Sequence, residues 1–400
     1  MFETLAPEPE DQIMALGALF RADPRQGRID LGIGVYRDAA GRTPVMAAVR
    51  EAERRIWEGE TTKSYTALAG DAAFNDAIVD LVLGDGLARS GRVSVAATPG
   101  GTGAIRQAAD LIARARPGAT VWLPDPTWPN HPAVLAPAGL RVAHYRYYDA
   151  ATGGVDLGGM RADLGRAGPG DVIVLHGACH NPTGADLAPE GWAAVVGLCA
   201  ARGAVPLIDL AYMGFGAGLG ADAAGTRTLA QALPEVLVAV SCSKNFGIYR
   251  ERTGALIALT PEGARRAAMQ GTLTALNRTA YSFPPDHGAR IVATILADPG
   301  LRAQWEGELD AIRTGMIANR AALAAELARL GGGARFDRIA HQRGMFSLLP
   351  VSPGAVARLR ADHAIYLVAN GRMNVAGLTP ANVPAVARAI IAAMAEGAAG

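Results

Sequence analysis

Val205-Pro206-Leu207-Ile208-Asp209-Leu210-Ala211-Tyr212 is an apolar run that closes on a carboxylate. Its branched residues do not alternate with polar ones, the pattern of a strand buried on both faces in a helix-covered parallel sheet. Runs of the same texture occur at residues 93–95, 120–123, 172–175, 236–240 and 255–258. Amphipathic stretches such as 103–116 and 189–201 separate several of them. The alternation predicts an α/β fold with a mainly parallel sheet, whose chemistry collects at the carboxyl ends of the strands. Most of these runs end in a polar or Gly-rich signature.

After about residue 301 the texture changes. A long helical pattern over 302–330 leads into Gly331-Gly332-Gly333, strand-like runs at 344–347 and 372–375, and a last helix over 383–396. This predicts a smaller α+β domain over 306–400, completed by an N-terminal arm and segment over 1–44, beside a large domain over 45–305.

The 400 residues suffice for a large core, and 38 basic against 37 acidic residues leave a net charge of +1. That balance gives no general reason to expect nucleic acid or an anionic membrane surface. Apolar runs are broken by Pro, Gly or a charge before they reach the length of a membrane span. Met1-Phe2-Glu3 lacks the basic-then-apolar start of a signal peptide. Cys179, Cys199 and Cys242 form neither a disulfide framework nor a zinc pattern, so a reducing, cytoplasmic setting is expected. Only Lys63 and Lys244 are lysines, and every other basic residue is arginine. Arginine stays protonated and cannot act as a nucleophilic amine, so a lysine kept in such a sequence hints at amine chemistry, against chance retention on the surface.

Four segments carry candidate chemistry. Ala97-Thr98-Pro99-Gly100-Gly101-Thr102-Gly103-Ala104 follows a strand and opens a helix. Its backbone amides suit a phosphate, although such turns are often only turns. His176-Gly177-Ala178-Cys179-His180-Asn181-Pro182-Thr183-Gly184 reads either as turn chemistry or as a buried His176 with the Asn181 amide aimed into a site; no thiol or carboxylate set makes it a metal centre. Asp209 is a helix cap or turn residue, or a buried carboxylate that needs a cationic partner. Ser241-Cys242-Ser243-Lys244-Asn245-Phe246-Gly247, followed by Arg252, places a lysine among hydroxyls at a strand end. A polar surface turn competes there with a partly buried nucleophilic amine beside a phosphate site.

In order along the chain, Asn181-Pro182-Thr183-Gly184, Asp209 with Ala211-Tyr212, Ser241-x-Ser243-Lys244, Arg252 and Gly371-Arg372-Met373-Asn374-Val375-Ala376-Gly377 resemble a class I aminotransferase of the aspartate/aromatic subgroup. The likeness runs from Ile29-Asp30-Leu31-Gly32-Ile33-Gly34-Val35-Tyr36 to the C-terminal helix. It is especially close to bacterial aromatic-amino-acid aminotransferases in 241–254 and in Leu276-Asn277-Arg278-Thr279-Ala280-Tyr281-Ser282-Phe283-Pro284-Pro285. The resemblance implies pyridoxal 5′-phosphate (PLP) on fold type I, with a seven-stranded sheet in the large domain and no metal. Lys244 would carry the cofactor and move the proton, Asp209 would pair with the pyridine nitrogen, and Tyr212 and Asn181 would donate to the ring oxygen. Trp128 would stack on the ring, and His131 and His176 would support Asp209.

The same resemblance assigns the phosphate to Gly101, Thr102, Ser241, Ser243 and Arg252, with Tyr65 reaching over from the partner in a homodimer. Arg372, helped by Gly34 and Asn181, would grip the substrate α-carboxylate. Arg278, from the partner, would pair with a side-chain carboxylate. Aspartate-specific relatives usually have Asn where Phe283 stands, so the expected activity is transamination of Phe, Tyr and Trp with 2-oxoglutarate by a ping-pong mechanism, with aspartate and glutamate also accepted. Aspartate aminotransferase is the alternative, with Phe283 then a packing residue at the pocket edge. Met213 and Cys242 also depart from the usual Gln and aromatic residue. A nicotinamide oxidoreductase would need G-x-G-x-x-G and an acidic residue at Rossmann spacing, which the chain lacks. A PLP-binding regulator would not need Arg372, and a β-lyase or decarboxylase would not need Arg278.

Overall fold

The computed structural model describes residues 1–7, 10–38 and 41–395. The chain forms two compact units, one of residues 44–315 and one of residues 1–43 with 316–400.

The larger unit is built on a seven-stranded sheet. Its strands are β1 (Val93–Pro99), β2 (Thr120–Asp125), β3 (Arg141–Arg146), β4 (Val172–His176), β5 (Val205–Leu210), β6 (Val236–Ser241) and β7 (Thr253–Leu259). They lie in the order β1-β7-β6-β5-β4-β2-β3. β7 runs antiparallel to both neighbours, and every other pairing is parallel. Six of the seven coincide with the apolar runs of the sequence. The seventh, β3, is an edge strand with the alternating sequence Arg141-Val142-Ala143-His144-Tyr145-Arg146, whose exposed charges hide it from a search for apolar runs. β4, β6 and β7 are buried along their whole length.

Helix α1 (Gly100–Ala115) starts where β1 ends and packs Ala104, Ile105, Ala108 and Ile112 against Val121, Leu123, Val174 and Leu207 of the sheet. Burial of each Ile or Leu side chain contributes about 1.5–3 kcal/mol, so this face fixes where the helix N-terminus sits. Helix α2 (Ala264–Ala280) runs past β1, with the Arg266 and Gln270 side chains bonded to the backbone of Val93 and Val95. Between these elements the peptide bonds Asp125–Pro126 and Asn181–Pro182 are cis.

In the smaller unit Ile29–Asp30 pairs parallel with Ile365–Tyr366, and Phe346–Leu348 pairs antiparallel with Arg372–Asn374. Leu31, Leu323, Leu327, Phe336, Met373 and Ile390 belong to its core. The predicted last helix is observed as Val383–Ala395; Glu396 lies outside the described residues, as do residues 8, 9, 39 and 40 of the predicted N-terminal segment. The predicted long helix is Pro299–Arg329. Among the described residues no helix is long and apolar enough to cross a membrane.

Candidate active site

A cavity of about 220 Å³ opens at the carboxyl ends of β4, β5 and β6. Gly101, Thr102, Trp128, Asn181, Asp209, Tyr212, Ser241, Ser243, Lys244 and Arg252 line it, with His176, Ala211 and Tyr249. Four separate sequence motifs therefore converge on one hollow. The sequence reading missed Tyr249; its place between Lys244 and Arg252 was the available signal.

One wall is an anion cradle. Gly100 takes φ +71° as the chain turns from β1 into α1, a conformation that favours glycine. A Cβ on Gly101 would stand 2.9 Å from Ser241 Cβ, so only glycine lets the helix N-terminus come this close to β6. Ser241, Ser243 and Arg252 face the amides at that terminus. Arg252 Nη1 is held by Tyr249 O at 3.3 Å and Ser243 Oγ at 3.5 Å. Arg252 itself has φ +55°, strained for a side-chain-bearing residue, and backbone strain of this kind clusters at functional sites.

The opposite wall holds Asp209, a buried carboxylate. His131 Nε2 lies 3.1 Å from Asp209 Oδ2. Thr127 Oγ1 is 2.8 Å from His131 Nδ1 and 3.3 Å from His176 Nε2, and the Asn181 backbone N–H points at His176 Nδ1 at 3.5 Å. A single arrangement of protons satisfies this chain with neutral rings: Asn181 N–H donates to His176, His176 to Thr127, Thr127 to His131, and His131 to Asp209. Burial, with the neighbouring His180 and His131, holds His176 well below the usual imidazole range. Burial likewise pushes His180 down to about 3. The His180 ring stacks on Tyr147 at 4.1 Å. Burial alone would raise the Asp209 carboxyl, but the His131 hydrogen bond and the electrostatic pull of the surrounding His131, His176 and Lys244 side chains outweigh it and hold it below the usual carboxylate value.

Lys244 projects between these walls, its Nζ 4.5 Å from the centre of the Tyr212 ring. Burial lowers its pKa to about 8, with Arg252 adding to the effect and Asp209 opposing it. A substantial neutral fraction near physiological pH is what a nucleophilic amine needs. The turn that carries it is pinned from below. Trp305 is fully buried, its Nε1 donates to Asn245 O at 2.7 Å, and its ring lies flat on Phe246 at 4.3 Å. Trp305 has no motif around it, so nothing in the sequence marked it.

Three other predicted residues gather elsewhere in the same unit and do not line this cavity. Tyr65 is 83% exposed and stacks on Phe283, with centroids 4.6 Å apart. The Arg278 guanidinium lies 5.8 Å from the Phe283 centroid and donates to Ser282 Oγ. In the smaller unit Arg372 is buried, its Nη2 donating to Gly32 O at 2.7 Å and its guanidinium lying 4.5 Å from the Phe346 centroid. Gly34 belongs to the same group, since a Cβ there would meet the Phe346 ring at 3.0 Å. Phe346 is set in turn by buried Arg320, which bonds its carbonyl at 2.6 Å and Ser347 Oγ at 2.6 Å.

Asp209 is the charge that holds Lys244 up against burial and Arg252. In ligand-free protein, Asp209→Asn is expected to move the pH midpoint of Lys244 acylation below about 8, read by peptide mass spectrometry. A midpoint that stays or rises would contradict this charge coupling.

Comparison with known proteins places the chain in a family. The sequence profile described as "Aminotransferase class I and II" matches residues 26–390. The chain is 54% identical to an aromatic-amino-acid aminotransferase of Paracoccus denitrificans, over 98% of this chain and 99% of that one. It is 45% identical to an aspartate aminotransferase of Salmonella typhi, over 98% and 100% of the two chains. A solved aromatic-amino-acid aminotransferase from Burkholderia pseudomallei, described as covalently bound to pyridoxal phosphate, superposes with a TM-score of 0.96 at 42% identity, covering 98% of this chain and 99% of that one. An ordered set of motifs, a seven-stranded α/β sheet and a profile spanning nearly the whole chain lead to the same place: the chain belongs to the class I and II aminotransferase family.

Proposed function

We propose that this protein is a PLP-dependent aminotransferase that exchanges amino groups between the aromatic amino acids Phe, Tyr and Trp and 2-oxoglutarate, and also accepts aspartate and glutamate. The observation that carries the reading is the single cavity in which an amine with lowered pKa, an ionised buried carboxylate and an anion cradle converge. Those residues fit PLP: the cradle suits a phosphate dianion, Trp128 offers a flat face, and Asp209 supplies the charge a protonated ring nitrogen requires. When bound, PLP supplies an electron sink for the carbanion left at the substrate α-carbon.

The rest of the chemistry falls to the chain's own groups. Lys244 would carry the cofactor covalently and, once the substrate amine has displaced it, would take the α-proton as base and return it as acid at the cofactor's C4′. Asp209, oriented by His131, holds the proton on the ring nitrogen. Tyr212 and Asn181 donate to the ring oxygen and favour its ionised form. Gly101, Thr102, Ser241, Ser243 and Arg252 bind the phosphate, and Tyr65 joins them from the partner in a homodimer. Exposed Tyr65, stacked on half-buried Phe283, and Trp57, 79% exposed, support such an interface. Arg372 takes the α-carboxylate as a fork, with Gly34 and Asn181, and its buried anchoring to Gly32 and Phe346 favours one orientation. Arg278, from the partner, reads a side-chain carboxylate, and Phe283 offers an aromatic side chain an apolar face. Buried free thiols at Cys179, Cys199 and Cys242 suit a cytoplasmic enzyme.

Arg278 also favours a second reading, aspartate aminotransferase; the discriminating residue is Phe283. Phe283→Asn is expected to raise the ratio of kcat/KM for aspartate over phenylalanine about tenfold, the scale of one pocket contact. An unchanged ratio would remove Phe283 from specificity. Borohydride reduction of the PLP-loaded protein is expected to fix the cofactor on the peptide containing Lys244. Lys244→Ala is expected to lose that label and at least about 10²-fold in turnover. A label on Lys63, or turnover undiminished in the variant, would refute the assignment.

A further inference from the structure

Asn277 directly precedes Arg278 in the last turn of α2 and has no exposed surface. Its Nδ2 donates to Leu68 O at 2.9 Å and to Ala97 O at 3.0 Å. Its Oδ1 accepts from Gln107 Nε2 at 2.6 Å and from the Tyr281 hydroxyl. Two donors and two acceptor positions are thus all used, the full capacity of a carboxamide. The partners come from four places: the segment after Tyr65, the end of β1 beside the anion cradle, helix α1, and the cap of α2. On the outside of the same turn Arg278 donates to Ser282 Oγ. Ser282 has φ +68°, strained for a residue with a side chain. The turn is therefore closed twice at i,i+4 spacing, inside by Asn277–Tyr281 and outside by Arg278–Ser282. A leucine there would deprive the Leu68 and Ala97 carbonyls, Gln107 and the Tyr281 hydroxyl of a partner, so the amide ties four segments to this turn.

We propose that Asn277 is a positioning residue that aims Arg278, and that its hydrogen bonds set how well the enzyme takes dicarboxylates relative to aromatic substrates. This rests on the reading of Arg278 given above. The unequal effect follows from geometry: an arginine fork is strict in angle toward a carboxylate, whereas an apolar face such as Phe283 tolerates a shifted turn.

The test uses PLP-loaded full-length protein carrying Tyr281→Phe, Asn277→Leu or Arg278→Leu. Calorimetric Kd is measured for two unreactive ligands, succinate and 3-phenylpropionate, together with kcat and KM for glutamate and phenylalanine. Tyr281→Phe removes only one hydroxyl and decides the matter if Asn277→Leu does not fold. In both positioning variants, succinate Kd and glutamate KM are expected to rise about tenfold, with kcat and both aromatic ligands within about threefold. Equal losses for both ligand classes, or no change for succinate, would overturn the proposal. Selective succinate loss in Arg278→Leu alone would sink the role of Asn277 and leave that of Arg278 standing. No succinate loss in Arg278→Leu would sink both.

Discussion

The site is arranged around a carboxylate that has been taken out of water. Asp209 sits at the end of an apolar strand, where burial alone would neutralise it, yet it stays charged because His131 donates to it and Lys244 lies within electrostatic reach. Breaking such a buried arrangement by removing one partner typically costs about 3–5 kcal/mol. The neighbouring His176 and His180 are kept neutral by the same burial, so among these side chains the positive charge that answers Asp209 is left to Lys244. One carboxylate thereby opposes the effect of burial on the Lys244 amine and fixes the proton order of the imidazole chain.

The anion cradle depends on a second constraint, the closeness of α1 to β6. The buried apolar face of α1 holds the helix against the sheet, glycine at 100 and 101 removes the side chains that would keep its N-terminus away, and Arg252 accepts a strained backbone to point into the space left. Stability is spent on the core so that the polar groups of the cavity can be held in positions they would not choose alone. The turn under Lys244 follows the same logic, with Trp305 and Phe246 forming a rigid floor.

Much of this was legible in the chain. Uninterrupted branched runs marked six strands because strands buried on both faces need no polar alternation, and the motifs at their ends, read with the family resemblance, marked most of the cavity residues. The direction of β7 was not legible, since a buried strand reads the same whichever way it runs. β3 was missed because an edge strand carries charges. Trp305 and Tyr249 act through distant or unpatterned contacts. Asn277 stands within the motif around Arg278, but its partners Leu68, Ala97, Gln107 and Tyr281 meet it only through the fold. What remains local in sequence is readable; what depends on long-range packing is not.

The most direct test of the account is kcat/KM for phenylalanine, tyrosine and aspartate, each with 2-oxoglutarate, on PLP-loaded protein. Aromatic values at or above that of aspartate are the expected result. Preference for aspartate by more than about 30-fold, or about 2 kcal/mol of differential transition-state binding, would contradict it and make the protein an aspartate aminotransferase with an unusual pocket rim.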